Sequence, residues 1–150
     1  MLNMTETKSI AEVEEQIVEE FELFDDWMDK YEHLIEMGKS LPFIEQKFKT
    51  DEFIVKGCQS LVWLHPDFEN GILHFTADSD AIITKGMIAI LLRVLNDRTP
   101  DEIINAKLEF IDKINLKEHL TPTRANGLVS MLNKIKAYAE QVKLTRSHKS

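Results

Sequence analysis

The 150-residue sequence holds one cysteine, five glycines and four prolines, and these scarcities exclude whole classes of chemistry. A single cysteine closes no disulfide within the chain and cannot supply the several thiolates of a structural zinc or iron–sulfur site. Any thiol chemistry must therefore run through partners. The few glycines form no GxGxxG, GxxxxGKS or GxxxxGKT pattern, so no nucleotide phosphate loop is recognisable. His33, His65, His74, His119 and His148 show no HxH or HxxxH spacing, and Asp78-Ser-Asp80 lacks the later ligands of a calcium loop. No bound metal and no directly bound cofactor are expected. Hydrolase signatures are missing too, and a Cys–His pair for proteolysis would need a histidine brought in by folding, for which His119 is the candidate.

Long hydrophobic runs are also lacking. The most apolar stretch, residues 81–95, contains Lys85, Gly86 and Arg93 and falls short of the ~20 residues of a membrane span. It reads as a buried helix. The start, MLNMTETKSIAEVEEQ, has neither the basic and apolar regions of a signal peptide nor an Arg-rich transit pattern, which makes the cytoplasm the expected location. A chain of this length suits one domain, 1–150, that buries about two thirds of its unfolded surface. Its core is expected over about 9–143, followed by a polar, mobile tail at 145–150.

The formal charge of −8 is uneven, because residues 1–36 hold 12 acidic and 2 basic side chains. A nucleic-acid partner does not fit that balance. The acidic block reads either as a solvated helix face or as a surface that steers a basic partner.

What is present is helix and strand patterning. Ser9-Ile-Ala-Glu12 has capping-box spacing, and Ile10, Val13, Ile17, Phe21 and Phe24 then recur on one helical face. Asp25 or Asp26 can cap a second helix with Trp27, Tyr31, Leu34 and Ile35 on its apolar face, stopped at Gly38. Three β-branched and aromatic runs follow, Phe53–Val55, Leu61–Leu64 and Ile72–Phe75, broken by Gly57 and by the stretch from His65 to Gly71. They predict a three-stranded antiparallel meander. Ser79 or Asp80 can cap the apolar helix; Thr99-Pro100 and Thr121-Pro122 place a cap and a first-turn proline before two more helices. The fold class is α+β: N-terminal helices, a small three-stranded sheet, and C-terminal helices packed on it.

The segment Val55-Lys-Gly-Cys-Gln-Ser-Leu-Val-Trp63 is the one that looks chemical. Gly57 permits a sharp turn, so the Cys58 thiol can stand at a loop tip. An unpaired cysteine is also often a small core hydrophobe, and the local pattern leaves both readings open. A transfer cysteine needs a thiolate, and Lys56, Arg124 or a helix N-terminus could favour one.

Several motifs occur in a familiar order: Gly57-Cys-Gln-Ser60 with Val62-Trp63, Asp78-Ser-Asp-Ala81 leading into Lys85-Gly86, Thr99-Pro100, and His119-Leu-Thr-Pro-Thr-Arg124 with Asn126-Gly127. From about Trp27 to Tyr138 the chain resembles the SufE family of sulfur acceptors, which includes CsdE-type members. One position departs, since Phe53 stands where family members often carry asparagine. The resemblance implies an α+β fold with the cysteine on a loop between strands, and docking to a SufS-type cysteine desulfurase that uses pyridoxal phosphate. It implies that Cys58 takes persulfide sulfur and passes it to a SufB-type iron–sulfur scaffold, the donor being stimulated in turn. Gln59, Asp80, His119 and Arg124 match family positions around the cysteine. Asp80 would hold the loop closed through helix-start hydrogen bonds; His119 and Arg124 would position it or meet thiolate or persulfide charge. Each could instead be a helix cap or a structural hydrogen bond. An allosteric binding module with an inert Cys58 is the alternative function, and a homodimer is compatible with either.

Overall fold

A computed structural model describes residues 8–149, with side chains described as far as Thr145. Two helices open the fold, α1 (Ile10–Glu22) and α2 (Trp27–Lys39). The capping box of α1 is complete: Glu12 N–H donates to Ser9 Oγ at 3.1 Å and Ser9 N–H donates to Glu12 Oε1 at 2.9 Å. Two of the four orphan donors of the first turn are thereby satisfied. The face that follows buries Val13, Ile17 and Phe21. In α2 the Asp26 carboxylate caps by accepting from Asp29 N–H at 2.9 Å.

The sheet has two strands, β1 (Val62–Glu69) and β2 (Ile72–Ser79), paired antiparallel from Val62↔Ser79 to Glu69↔Ile72. This corrects the expectation of three strands. Phe53–Val55 supplies one isolated bridge, Ile54↔Trp63, and one bond, Val55 N–H to Val62 C=O at 2.9 Å. The competing structure is local: Thr50 and Asp51 carbonyls take the N–H groups of Phe53 and Ile54, winding Asp51–Phe53 into a 3-10 turn. A run of three residues has too few ladder bonds to outbid that turn.

The same sheet extends where a loop was expected. β1 continues through His65-Pro66-Asp67, and the chain reverses at Asn70 and Gly71, with φ of +54° and +80°, the positive values a two-residue hairpin turn requires. Pro66 is tolerated because of register. Phe75, its partner, donates its N–H outward to Asn96 Oδ1 at 2.6 Å, so the pair does not exchange ladder bonds and the missing donor of Pro66 falls on the free edge. The outer edge of β2 is covered along its length: Leu73 N–H donates to Arg98 C=O at 2.9 Å and Ala77 N–H to Pro42 C=O at 3.4 Å.

Behind the sheet lies α3 (Ile82–Leu95), buried along most of its length. It crosses α2 at glycine, because a Cβ on Gly86 would stand 2.4 Å from Leu34 O. Gly86→Ala is therefore expected to force the two backbones apart and cost about 2 kcal/mol, read as a lower urea midpoint at unchanged slope. Arg93 of α3 clamps Glu20 of α1 with both guanidinium arms, and His33 Nε2 of α2 meets the same carboxylate at 2.9 Å. Three helices are tied at one partly buried point.

Two short helices follow, α4 (Pro100–Asn105) and α5 (Phe110–Lys113), and then the long α6 (Pro122–Lys149). The inward face of α6 buries Leu128, Met131, Ile135 and Ala139. Its helical backbone runs to Lys149, through the stretch where a polar tail was expected. Among the described residues no helix is long and apolar enough to cross a membrane.

Candidate functional site

Residues 56–61 form a loop between the Val55–Val62 bond and the start of β1, and four contacts fasten it. At its entry Gly57 has φ +95°, and a Cβ there would lie 2.4 Å from Ser130 Oγ on α6. Only glycine satisfies both the left-handed backbone and the close approach. Next, Cys58 rests on α6: its thiol faces the Gly127 carbonyl at 3.7 Å, and a Cβ on Gly127 would be 3.6 Å from the sulfur. Ser60 Oγ accepts a long 3.5 Å bond from the Thr84 hydroxyl of α3. At the exit Leu61 N–H donates to Asp80 Oδ1 at 3.0 Å, while Asp80 N–H donates to Leu61 C=O at 3.3 Å.

Asp80 does not cap α3. The N-cap position is Ala81, whose N–H donates to Ser79 Oγ at 3.2 Å. The aspartate carboxylate is spent on the loop, across 19 residues of sequence. It adds one rung beyond the Val62↔Ser79 pair and makes it with a side chain as well as with backbone.

Cys58 is a free, half-buried thiol. Burial pushes it above the ordinary thiol range. Leaving water penalises the thiolate, and the neighbouring carbonyl offers an acceptor that an S–H can use and a thiolate cannot. The N-terminal dipole of α6 does not reverse this, because Gly127 is the sixth residue of the helix and presents C=O to the sulfur, past the free N–H groups of the first turn. In this arrangement the sulfur is half-buried and its thiolate is disfavoured.

The remaining family-matched residues divide. Arg124 is exposed in the first turn of α6, one turn before Gly127; its backbone N–H donates to Thr121 Oγ1 at 3.2 Å, and its guanidinium has no ion-pair or hydrogen-bond partner among the described residues. Gln59 is exposed beside Cys58 and likewise unpartnered among the described residues. His119 is held elsewhere: Nδ1 meets Asn115 O at 3.1 Å and its ring stacks on Trp27 at 4.0 Å between centroids. Its ring packs on α2, not on the loop. At the end of β2 that pairs with the start of β1, Asp78 sits between Lys49 at 2.6 Å and Lys85 at 3.1 Å. Partial burial alone would raise that carboxyl, but the two ammonium groups and the Ser79 N–H outweigh it and hold it low. Among the described residues no three His, Cys, Asp or Glu side chains gather as a metal site.

Three residues that fasten the loop carry no signal readable from local sequence. Ser130 and Thr84 look like ordinary helix polar residues, and Leu61 like an ordinary strand residue; only tertiary contact singles them out. Gly127 was within reach, because it falls inside the Asn126-Gly127 motif.

The family model described as "SufE: Fe-S metabolism associated domain" matches residues 15–139. The chain belongs to the SufE family. An uncharacterized SufE-like protein of Rhizobium meliloti (strain 1021) is 42% identical over 131 residues, covering 84% of this chain and 94% of the relative. A second uncharacterized SufE-like protein, from Rhizobium etli, is 40% identical over 131 residues, covering 84% and 88%. In three dimensions the chain is similar to the solution structure of a hypothetical protein from Thermus thermophilus, with a TM-score of 0.71 at 21% identity, covering 86% of this chain and 94% of that one. That likeness shows the α+β fold. The SufE match includes all of the cysteine loop, Asp80 and Arg124.

Proposed function

We propose that this SufE-family protein accepts sulfur on Cys58 from a SufS-type cysteine desulfurase and passes it to a SufB-type iron–sulfur assembly scaffold. The observation that carries the reading is a free thiol on a loop fastened by a few separable contacts, within a domain of iron–sulfur metabolism. The Cys58 thiolate attacks the outer sulfur of the donor's persulfide. The donor's S–S bond breaks, its cysteine leaves as a thiolate, and a new S–S bond forms on Cys58 with no net oxidation or reduction. Freeing that donor cysteine is what stimulates the donor.

The thiol must ionise first, and the closed loop opposes ionisation. Opening restores water to the sulfur and takes it off the Gly127 carbonyl, so the same movement exposes the nucleophile and eases its ionisation. Closing again places the persulfide against α6, away from adventitious thiols. Asp80 is the positioning residue of this latch. Arg124, an exposed cation with no partner among the described residues, meets the charge of thiolate or persulfide when the loop moves. His119 acts through Trp27 and the start of α2. The chain itself binds no cofactor; pyridoxal phosphate belongs to the donor. A cytoplasm, which keeps thiols reduced, suits a protein whose one cysteine must stay free.

Incubation with desulfurase, cysteine and pyridoxal phosphate, then mass spectrometry under non-reducing conditions, is expected to add about 32 Da per sulfur atom to the peptide holding Cys58. Dithiothreitol should remove the addition. Sulfur found only on the donor would overturn the proposal.

A further inference from the structure

Leu61 and Ile82 are large apolar side chains left in water, 45% and 65% exposed. Single apolar residues on a surface need no explanation. These two differ in place, because Leu61 is the residue whose N–H and C=O are held by Asp80, and Ile82 begins α3 two residues beyond Asp80. They flank the fastening that closes the cysteine loop.

Resting on the proposed function, the geometry points to Leu61 and Ile82 as an apolar docking patch for the sulfur-donating desulfurase, with Leu61 as the trigger that opens the loop. The occupant follows from reach. Sulfur transfer requires the donor sulfur to come to S–S bonding distance of Cys58, about 2 Å. Leu61 is three residues from Cys58, at most ~11 Å of chain. A protein contact of standard size, ~800 Å² on each partner, has a radius of about 16 Å if centred on the sulfur. A protein donor centred on the sulfur therefore reaches Leu61, and Ile82 stands two residues beyond the aspartate bonded to it; an apolar depression on that donor would bury both side chains.

Docking and release are coupled through one residue. The Asp80 bonds hold the backbone of Leu61 while its side chain faces outward. A donor that draws that side chain into its own surface strains the two bonds behind it, one of 3.0 Å and one a longer 3.3 Å. The loop exit loosens, Ser60 and Cys58 follow, and the thiol is delivered to the partner that released it. A small molecule, lacking the depression, meets a closed loop.

The test uses the full-length chain and the desulfurase, with Leu61→Ser, Ile82→Ser and, as a matched control, Leu23→Ser, whose side chain is 79% exposed at the end of α1. Titration calorimetry is expected to show each patch variant binding the donor about tenfold more weakly, the usual scale for one apolar anchor. The control should bind as wild type does. The trigger is read separately, as the single-turnover rate of sulfur transfer from the persulfidated donor at saturation. Persulfide should form on Cys58 much faster from the saturating donor than from a small-molecule persulfide at equal thiol reactivity, and Leu61→Ser should lose that acceleration even at saturation. Patch variants that bind and accept sulfur like wild type would overturn the patch and leave the proposed function standing. Leu61→Ser that keeps the full acceleration would overturn the trigger. A wild type that binds the donor through the patch yet gains no sulfur would overturn the function and leave the patch. Thermal unfolding of each variant checks the fold.

Discussion

Cys58→Ser is expected to abolish sulfur acceptance while leaving the domain folded and still able to bind its donor. Serine is nearly isosteric with cysteine, and its hydroxyl can donate to the Gly127 carbonyl that the thiol now faces at 3.7 Å. The loop therefore has no reason to move. The chemistry fails for a different reason: the chain has one cysteine, so no second thiol can substitute, and a hydroxyl neither ionises near neutral pH nor holds a sulfane sulfur. Protein-bound radiolabelled sulfur should fall to the level of a blank. The same variant separates the two functional readings. If stimulation of the desulfurase is lost with transfer, the donor turns over faster because Cys58 unloads it. If full stimulation persists in Cys58→Ser, the protein is an allosteric binding module and the half-burial of its thiol is that of an ordinary packed cysteine.

Helices were the most legible part of this fold, because their signals are short-range. The Ser9–Glu12 and Thr99–Glu102 boxes and the Asp26 cap form the bonds their spacing implies. Strands were less so. Phe53–Val55 has strand composition, but the contest between the Asp51–Phe53 turn and the ladder is decided by neighbours far along the chain. Pro66 marked a loop to the eye, and only the register shows that its missing N–H faces outward. A proline's meaning depends on which edge it faces, and edges are tertiary.

The site divides in the same way. Gly57 and Cys58 were visible as a turn with a thiol. Asp80 was visible too, although local spacing made it a helix cap, and the carboxylate instead crosses to Leu61. The expected anion-favouring helix end exists at α6, but the cysteine lands one turn too far along to use it. His119 matched a family motif and lies stacked on Trp27; proximity in a motif string did not become proximity to the sulfur.

Asp80→Ala should open what the wild type keeps shut. The variant removes the acceptor of the Leu61 N–H bond and keeps the backbone bond between the two residues. A hydrogen bond to an ionised group is worth about 1.5 kcal/mol at the low end suited to an exposed carboxylate, so the open population should rise about tenfold. Iodoacetamide alkylation of Cys58 then accelerates by the same factor, because it runs through open molecules, in which the thiol has lost the burial that disfavours its thiolate. The sign follows directly. The folded thiol titrates above the ordinary thiol range because burial disfavours the thiolate, so opening moves the titration down and the alkylation profile against pH shifts toward lower pH. Asp80→Asn is the decisive companion, since its amide oxygen still accepts from Leu61 N–H. It should stay close to wild type. Were Asn and Ala to accelerate equally, the carboxylate's charge and not its bond to Leu61 would be restraining the thiol. Were neither to change the profile, the loop would be held by Ser130, Gly127, Thr84 and the backbone bond to Leu61, and the Asp80 carboxylate would not be its latch.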